Sequence, residues 1–481
     1  MQHPACTTIL VGKQASLDKS VMVARTEDLG SEIIPQCFSI IKPENQPQHY
    51  QSAISKQRIA DADLTSNQPL QYTCIPAADT TGGSWAAGGI NTANVAMTAT
   101  ETIIHFNPRL EGIDPCLDSV NGGLGEEDFV TLLLPYLHTA REGVQRAGYL
   151  VKKYGTYERS GMAFADLDEL WYFETIGGHH WTARRIPDDA CVIATNRLNI
   201  DQFRFDDPDF ACSDDLKQLI DDNHLNPDPQ GYNMRHIFGS ADTLDAHYNN
   251  PRAWYAHKFF NPRFTGQPGD QDQPFIYHAN RKLSIEDLEW LESSHYQETP
   301  YDPYGKTGTP ASRWALRPIG INQTVETHIL QLRGEVPQQL AGIHWVSFGP
   351  NVCNCLTPFY ASGQQVPAAY QTTTDFDLDK VFWLEQFAAL IGDFDHDLFA
   401  SLGTEFLDRT RAACRGVINQ TDQQITTLTG PALIAALDQA NDRLARLVQK
   451  NTLQLLHQML VVGHRNMRLR YNLFDLPENR D

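Results

Sequence analysis

The sequence has no long hydrophobic run: its best stretch, Phe129 to Leu137, is broken by Pro135 and falls short of the ~18 uninterrupted apolar residues that a membrane span needs. Its start, MQHPACTTILVG, has neither a basic region nor the apolar core of a secretory signal. Positive charge is scarce, with 38 Lys and Arg against 59 Asp and Glu and a formal net charge of −21, which argues against nucleic acid or an anionic membrane as partner. A paired cysteine framework is also missing. The nine cysteines are an odd number without regular spacing, which fits free thiols in a reducing compartment better than disulfides. Cys353-Asn-Cys355 is not the C-x-x-C of a zinc or redox site, and in a strand both thiols share one face, so a structural role is expected. These absences leave a globular protein, 41% apolar and 20% charged, expected to be soluble and cytoplasmic. At 481 residues it has room for one large elaborated domain or two ordinary ones.

Periodicity divides the chain. Strand-like runs occupy Cys37 to Lys42 and Val95 to Met97, the latter reached through the flexible TGGSWAAGG and Ile90-Asn91. Asn91 after glycines is either a ligand contact or a turn residue. From Gly125-Glu126-Glu127-Asp128 to Gly155 the pattern is helical, with acidic residues first, a break at Pro135, a capping box at Thr139 and Glu142, and Gly155 as C-cap. Four strands, Ala163 to Asp166, Glu169 to Thr175, His179 to Ala183 and Ala190 to Thr195, read as an antiparallel meander ending on Asn196. His179 and His180 would point to opposite faces of a strand and do not form a metal pair. Residues 203–306 are acidic, aromatic and Pro-rich, the composition of a covering insertion. Strands follow at Ile329 to Leu332 and Ile343 to Phe348. From Asp375 onward apolar residues recur at three and four, giving helices at 381–390, 398–415 and 431–460, suited to packing and subunit contacts.

The stretch CTTILVGKQASLDKSVMVARTED, Cys6 to Asp28, reads as a β-hairpin. With Gly12 roughly opposite Ser20, Cys6 lies across from Arg25 to Glu27, with Asp28 one step beyond. A neighbouring cation shifts a thiol toward its reactive ionised form. Only Met1 to Ala5 precede Cys6, so cleavage of the Ala5–Cys6 bond would make its α-amine available as base for its own thiol. A lone cysteine in an apolar strand is ordinarily a small buried hydrophobe, and the residues by themselves leave both readings open.

Several segments together resemble the cysteine-nucleophile dipeptidases of the dipeptidase A type, within the N-terminal-nucleophile hydrolases. They are A-CTTILVGKQASLDKSVMVARTED, GGINTANVAMTATET, GEEDFVTLLLPYLHTAREGV and LWYFETIGGHHWTARRIPDDACVIATN. More distant penicillin and bile-salt amidases share a processed cysteine, an Arg with an Asp three residues on, an Asn after a strand ending in Thr, and an Arg in a Pro-Ala-Ser-Arg context. The matching positions are Cys6, Arg25, Asp28, Asn196 after Thr195, and Arg313. The resemblance implies an α+β fold, a four-layer αββα sandwich with a helical C-terminal region. The implied division is a self-removed propeptide at 1–5, a core at 6–370 covered by 203–306, and a packing region at 371–481.

It further implies hydrolysis of free dipeptides through a thioester on Cys6, with no cofactor and no metal. Arg25 would lower the thiol pKa, Asp28 orient the amine, Asn196 hold the oxyanion and Arg313 order the carboxylates. Asn91 would contact substrate. Glu101 stands where the amidases carry a second Asn; an ionised carboxylate has no donor for an oxyanion but suits a substrate's α-ammonium. The partners implied are small peptides and further copies of the chain, with no nucleic acid and no membrane. Alternatives are an amidase for acylated amines and a non-catalytic secernin-like interaction protein.

Overall fold

Alternation of side chains across the first hairpin decides what surrounds Cys6. The computed structural model describes residues 6–30, 32–64, 68–120, 122–350, 352–425 and 427–469, without the side chains of Thr100 and Glu101. Strands β1 (Thr7–Val11) and β2 (Ser20–Asp28) pair antiparallel, Thr7 opposite Thr26 and Val11 opposite Met22. One step before Thr7, Cys6 is level with Glu27. Every residue of β2 is buried: Val21 to Ala24 fill the cores on its two sides, and the polar half, Arg25 to Asp28, is buried beside Cys6.

Two six-stranded antiparallel sheets follow from the remaining pattern. The second sheet contains β3 (Gly88–Ile90), β4 (Ala96–Thr102), β5 (Ser160–Ala165), β6 (Leu170–Thr175) and β7 (Trp181–Arg185). After β8 (Cys191–Ala194) it is completed by β9 (Phe210–Cys212), in the order β9-β7-β6-β5-β4-β3. The first sheet adds β10 (Thr324–Arg333), β11 (Gly342–Phe348) and β12 (Thr357–Tyr360), in the order β8-β1-β2-β10-β11-β12. The expected four-strand meander is therefore corrected. Its first three strands are β5, β6 and β7, but the fourth, β8, crosses to the first sheet, with Thr8 opposite Ala194 and Val11 opposite Cys191. Its residues Cys-Val-Ile-Ala are apolar on both faces, which suits a strand between two apolar layers, while the free edge of β7 is taken by β9.

Among the described residues the helices of eight or more residues are α1 (Glu126–Leu133), α2 (Ala140–Tyr154), α3 (Asn250–Phe260), α4 (Ile285–Glu292), α5 (Val381–Phe394), α6 (His396–Ile425) and α7 (Gly430–Arg465). Thr139 caps α2 by accepting from the Glu142 amide at 3.1 Å, and Gly155 ends it with φ of +73°. One apolar cluster takes Leu10, Val23, Val192 and Leu330 from the first sheet and Ala163 and Tyr172 from the second. A second joins Ile9, Ala24, Ile329 and Trp345 to Ala253 of α3, Leu288 of α4, Ile418 of α6 and Leu437 of α7. A third joins Phe164 and Phe173 to Phe129 of α1 and Val144 of α2. The two sheets thus share an apolar interior, and helices cover their other faces. Among the described residues no helix is long and apolar enough to cross a membrane.

Candidate active site

Cys6 is fully buried at the start of β1. The Arg25 guanidinium, also fully buried, donates from Nη2 to Cys6 Sγ at 2.9 Å. The same nitrogen donates to Glu126 Oε1 at 2.7 Å, and Nη1 lies 3.9 Å from Glu27 Oε2. Glu126 opens α1, and its backbone N–H, one of the amides a helix start leaves without an internal partner, donates to Glu158 Oε1 at 2.7 Å. A chain of contacts therefore runs from the sulfur through Arg25 and Glu126 to Glu158, crossing from the first sheet to the elements around the second.

Asp28, at the end of β2, accepts from Thr324 Oγ1 at 2.6 Å, from Arg317 Nη2 and, weakly, from Thr26 Oγ1 at 3.4 Å. Thr26 Oγ1 in turn accepts the Thr7 amide at 3.2 Å, which couples Asp28 to the main chain beside Cys6. Asn196 is buried two residues past β8. Its Nδ2 donates to Thr102 O at 2.9 Å, and its Oδ1 accepts from Arg252 Nη2 at 2.8 Å. Arg252, near the start of α3, also donates from Nη1 to Cys6 O at 2.6 Å and to Thr7 Oγ1 at 3.0 Å. It is held by Tyr248 O at 3.0 Å and Asn249 Oδ1 at 2.7 Å. The crossing of β8 is what delivers Asn196 to the sulfur.

Four of the sequence-derived residues, Cys6, Arg25, Asp28 and Asn196, thus lie together. Arg313 does not join them: it ends a short partly exposed helix, Pro310–Arg313, and its guanidinium makes no ion pair or hydrogen bond among the described residues. The arginine that reaches Asp28 from this segment is Arg317. Asn91 is occupied by the turn into β4, donating to Leu134 O and Leu137 O at 2.9 and 2.7 Å and accepting from Ala93 N and Val95 N at 3.0 Å each. Glu101 pairs with Gly161 through its backbone, and its side chain lies outside the described residues. The residues missed from sequence are Arg252, Arg317, Glu126 and Glu158. Only Glu126 gave a signal, in the acidic GEED opening of a helix.

Burial dominates the electrostatics. It pushes Glu27 well above the ordinary carboxyl range, against the pull of Arg25 and with the help of Glu126 and Glu326. Burial pushes Glu326 up to about 8, again against Arg25, and it faces His328 Nδ1 at 3.0 Å. Burial and then Arg25 hold His328 neutral, and its Nε2 meets Thr98 Oγ1 of the second sheet at 2.9 Å. Burial followed by Glu126 pushes Glu158 up to about 8. All nine cysteines are free thiols. Among the described residues one trio has the spacing to hold a metal, His105, Asp242 and Asp245. Asp245 is already bonded by Ser240 Oγ and, at 2.6 Å, by Asn249 Nδ2, so this group braces the asparagine that holds Arg252. His180 fastens a turn between Asp114 at 3.0 Å and Asp215 at 3.3 Å.

A buried thiol against a guanidinium, with an amide and a second arginine on the adjoining main chain, is equipped for nucleophilic acyl transfer. A family model described as peptidase family C69 matches residues 5–408, from just before Cys6 into α6. The chain belongs to peptidase family C69. Its similarity to individual relatives extends past the family match. It is 56% identical to "Dipeptidase A" of Lactobacillus helveticus over 476 residues, 99% of this chain and 100% of that protein. It is 49% identical to "Probable dipeptidase B" of Lactococcus lactis subsp. lactis (strain IL1403), over 98% of each. With "Dipeptidase" of Bifidobacterium longum (strain NCC 2705) it shares 41% over 88% of this chain and 84% of that protein. Helices α6 and α7 beyond residue 408 are therefore part of what the Lactobacillus protein shares.

Proposed function

We propose that the protein is a cysteine-type dipeptidase, cleaving the peptide bond of free dipeptides through a thioester on Cys6. The observation that carries this reading is the 2.9 Å contact between Arg25 Nη2 and Cys6 Sγ, in a chain that belongs to family C69. A fixed cation at that distance favours the ionised sulfur. The Ala5–Cys6 bond is cleaved to release the Cys6 α-amine, which accepts the thiol proton as sulfur attacks the carbonyl carbon. The oxyanion is held by the second Nδ2 hydrogen of Asn196, whose amide is oriented by Arg252. Collapse expels the second amino acid, whose nitrogen takes the proton from the α-amine and leaves a thioester. Water then attacks the thioester, loses its proton to the same amine, and the first amino acid departs as the thiol is restored. Asp28, fixed by Arg317 and Thr324, orients the amine.

The fold in this reading is the four-layer αββα sandwich of N-terminal-nucleophile hydrolases. The apolar cluster between the sheets and the helices on their other faces support it. Residues 6–370 form the core, 203–306 its covering insertion and 371–481 the packing region, through which copies associate. Glu101 faces the substrate in this reading, Asn91 is a support of the turn into β4 and not a substrate contact, and Arg313 stays at the periphery. A cytoplasmic location agrees with nine free thiols.

Intact-mass analysis of purified protein, together with dipeptide assays, tests the reading. The mature chain should begin at Cys6, and Cys6→Ala should retain residues 1–5 and hydrolyse nothing. Iodoacetamide should abolish activity, and EDTA should leave it intact. Full activity from uncleaved protein, or loss with EDTA that zinc restores, would overturn it.

A further inference from the structure

Acidic groups outnumber the cation placed among them beside the sulfur. Arg25 is shared between Cys6 and Glu126, with Glu27 at 3.9 Å, and Glu326 adds a further acidic group on the neighbouring strand. Arg317 and Arg252 are committed elsewhere, to Asp28 and to Asn196 with the Cys6 carbonyl. Acceptor capacity is left over. Glu27 Oε2, on a side chain 1% exposed, has no hydrogen-bond partner among the described residues. Glu158 is half-buried just ahead of β5, one oxygen taken by the Glu126 amide and the other without a hydrogen bond among the described residues. Burial first, and then Glu126, Glu127 and Asp128, make its ionisation unfavourable, and a bound cation would relieve the repulsion among these carboxylates.

A short path links these carboxylates to the sulfur. Glu126 Oε1 is two hydrogen bonds from Cys6 Sγ, through the single nitrogen Arg25 Nη2. In a dipeptide the α-nitrogen is two covalent bonds from the carbonyl carbon that the sulfur attacks, so with that carbon at the sulfur the ammonium lies on the same short length scale as Glu126 Oε1, and Glu158 follows through its bond to the Glu126 amide. We propose that Glu126 and Glu158 receive the α-ammonium of the substrate's first residue and so restrict the enzyme to peptides with a free amino end. The proposal rests on the dipeptidase reading, and it adds two carboxylates to the Glu101 position suggested by sequence.

The test compares Glu158→Gln, Glu126→Gln and Glu101→Gln on a free dipeptide and on its N-acetylated form. Glu158→Gln should lower kcat/KM for the free dipeptide by on the order of ten- to a hundredfold, mainly through KM, as expected for one lost charge-assisted hydrogen bond. The acetylated peptide should lose little or improve, because the ratio of the two constants reports recognition. Glu126 also touches Arg25, so its variant is accompanied by a thermal melt and by the pH profile of Cys6 alkylation. Glu126→Asp should keep the preference for a free amine. Equal losses on both substrates in Glu158→Gln, or a selective loss confined to Glu101→Gln, would overturn the proposal. Protection of Cys6 from iodoacetamide by each peptide keeps the test independent of turnover. Selective protection by the free dipeptide that is weakened in Glu158→Gln supports the ammonium site even if no dipeptide is hydrolysed, whereas protection unaffected by the substitution counts against it.

Discussion

Arg252 joins three separate parts of the site with one side chain, since its two terminal nitrogens reach Cys6 O, Thr7 Oγ1, Asn196 Oδ1 and Asn249 Oδ1. A lysine ammonium cannot span that fork. Arg252→Lys should therefore cut kcat by on the order of a hundredfold while KM changes little, because the lost orientation of Asn196 matters most when the oxyanion forms. Steady-state kinetics alongside a thermal melt checks this, and a loss confined to KM would place Arg252 in ground-state binding instead. Glu326 gives a second residue-scale prediction. Its carboxyl is pushed up to about 8, by burial and by Asp28 against the pull of Arg25, and it packs beside Glu27 and neutral His328. The folded state holds this proton more tightly than the unfolded chain, whose carboxyl titrates near ~4.3. The stabilisation is complete below that value and is lost as pH rises toward about 8, by up to ~1.4 kcal/mol per pH unit. Glutamine cannot ionise, so the Tm of Glu326→Gln relative to the parent should climb between pH 5 and pH 8. A constant difference would mean that Glu326 is already charged at pH 5.

At the scale of elements, two glycines let α2 lie close against the second sheet. A Cβ on Gly148 would sit 2.3 Å from Trp181 Cζ2, and one on Gly143 would sit 2.4 Å from Phe164 Cδ1. Trp181 cannot yield freely, since it stacks on Phe173 at 5.0 Å between ring centres. Gly148→Ala should consequently lose stability despite alanine's better helix propensity, by about 1–3 kcal/mol as for other overpacked cores. A urea midpoint equal to or above that of the parent would show that the helix shifts without cost. The ends of α2 were readable in advance, because Thr139 and Gly155 act through their own backbone neighbours. The destination of β8 was not. Its four apolar residues suit either sheet, and only the competing claim of β9 on the edge of β7 sends it to β1.

For the whole molecule, the docking of the C-terminal helices depends on a few polar contacts as well as on apolar area. Asn441 of α7 accepts from Tyr360 N at 2.8 Å and donates to Tyr360 O at 3.1 Å, closing the outer edge of β12. Asn441→Ala would leave the buried Tyr360 N–H without its acceptor, while Tyr360 O keeps the Gly363 amide at 3.1 Å, and a cost of about 1–3 kcal/mol is expected. Calorimetry should show a lower transition, and proteolysis should cut first in α6 and α7; unchanged melting would mean that apolar packing alone holds them. The sequence by itself determined the juxtaposition of Cys6 with Arg25 and Asp28, because the two-residue alternation of a hairpin leaves its strands little choice of partner. It also determined the helical C-terminal region, the capped α2 and, through resemblance, the dipeptidase reading. The tertiary structure decided which side chains complete the site. Arg252 reaches Cys6 across 246 positions, Arg317 reaches Asp28 across 289, and Glu126 reaches Arg25 across 101. The Pro-Ala-Ser-Arg motif points instead to Arg313, which the Thr309 cap holds in a short turn away from Asp28. No local period links such partners, and they meet only because packed sheets and helices bring distant segments of the chain to one place.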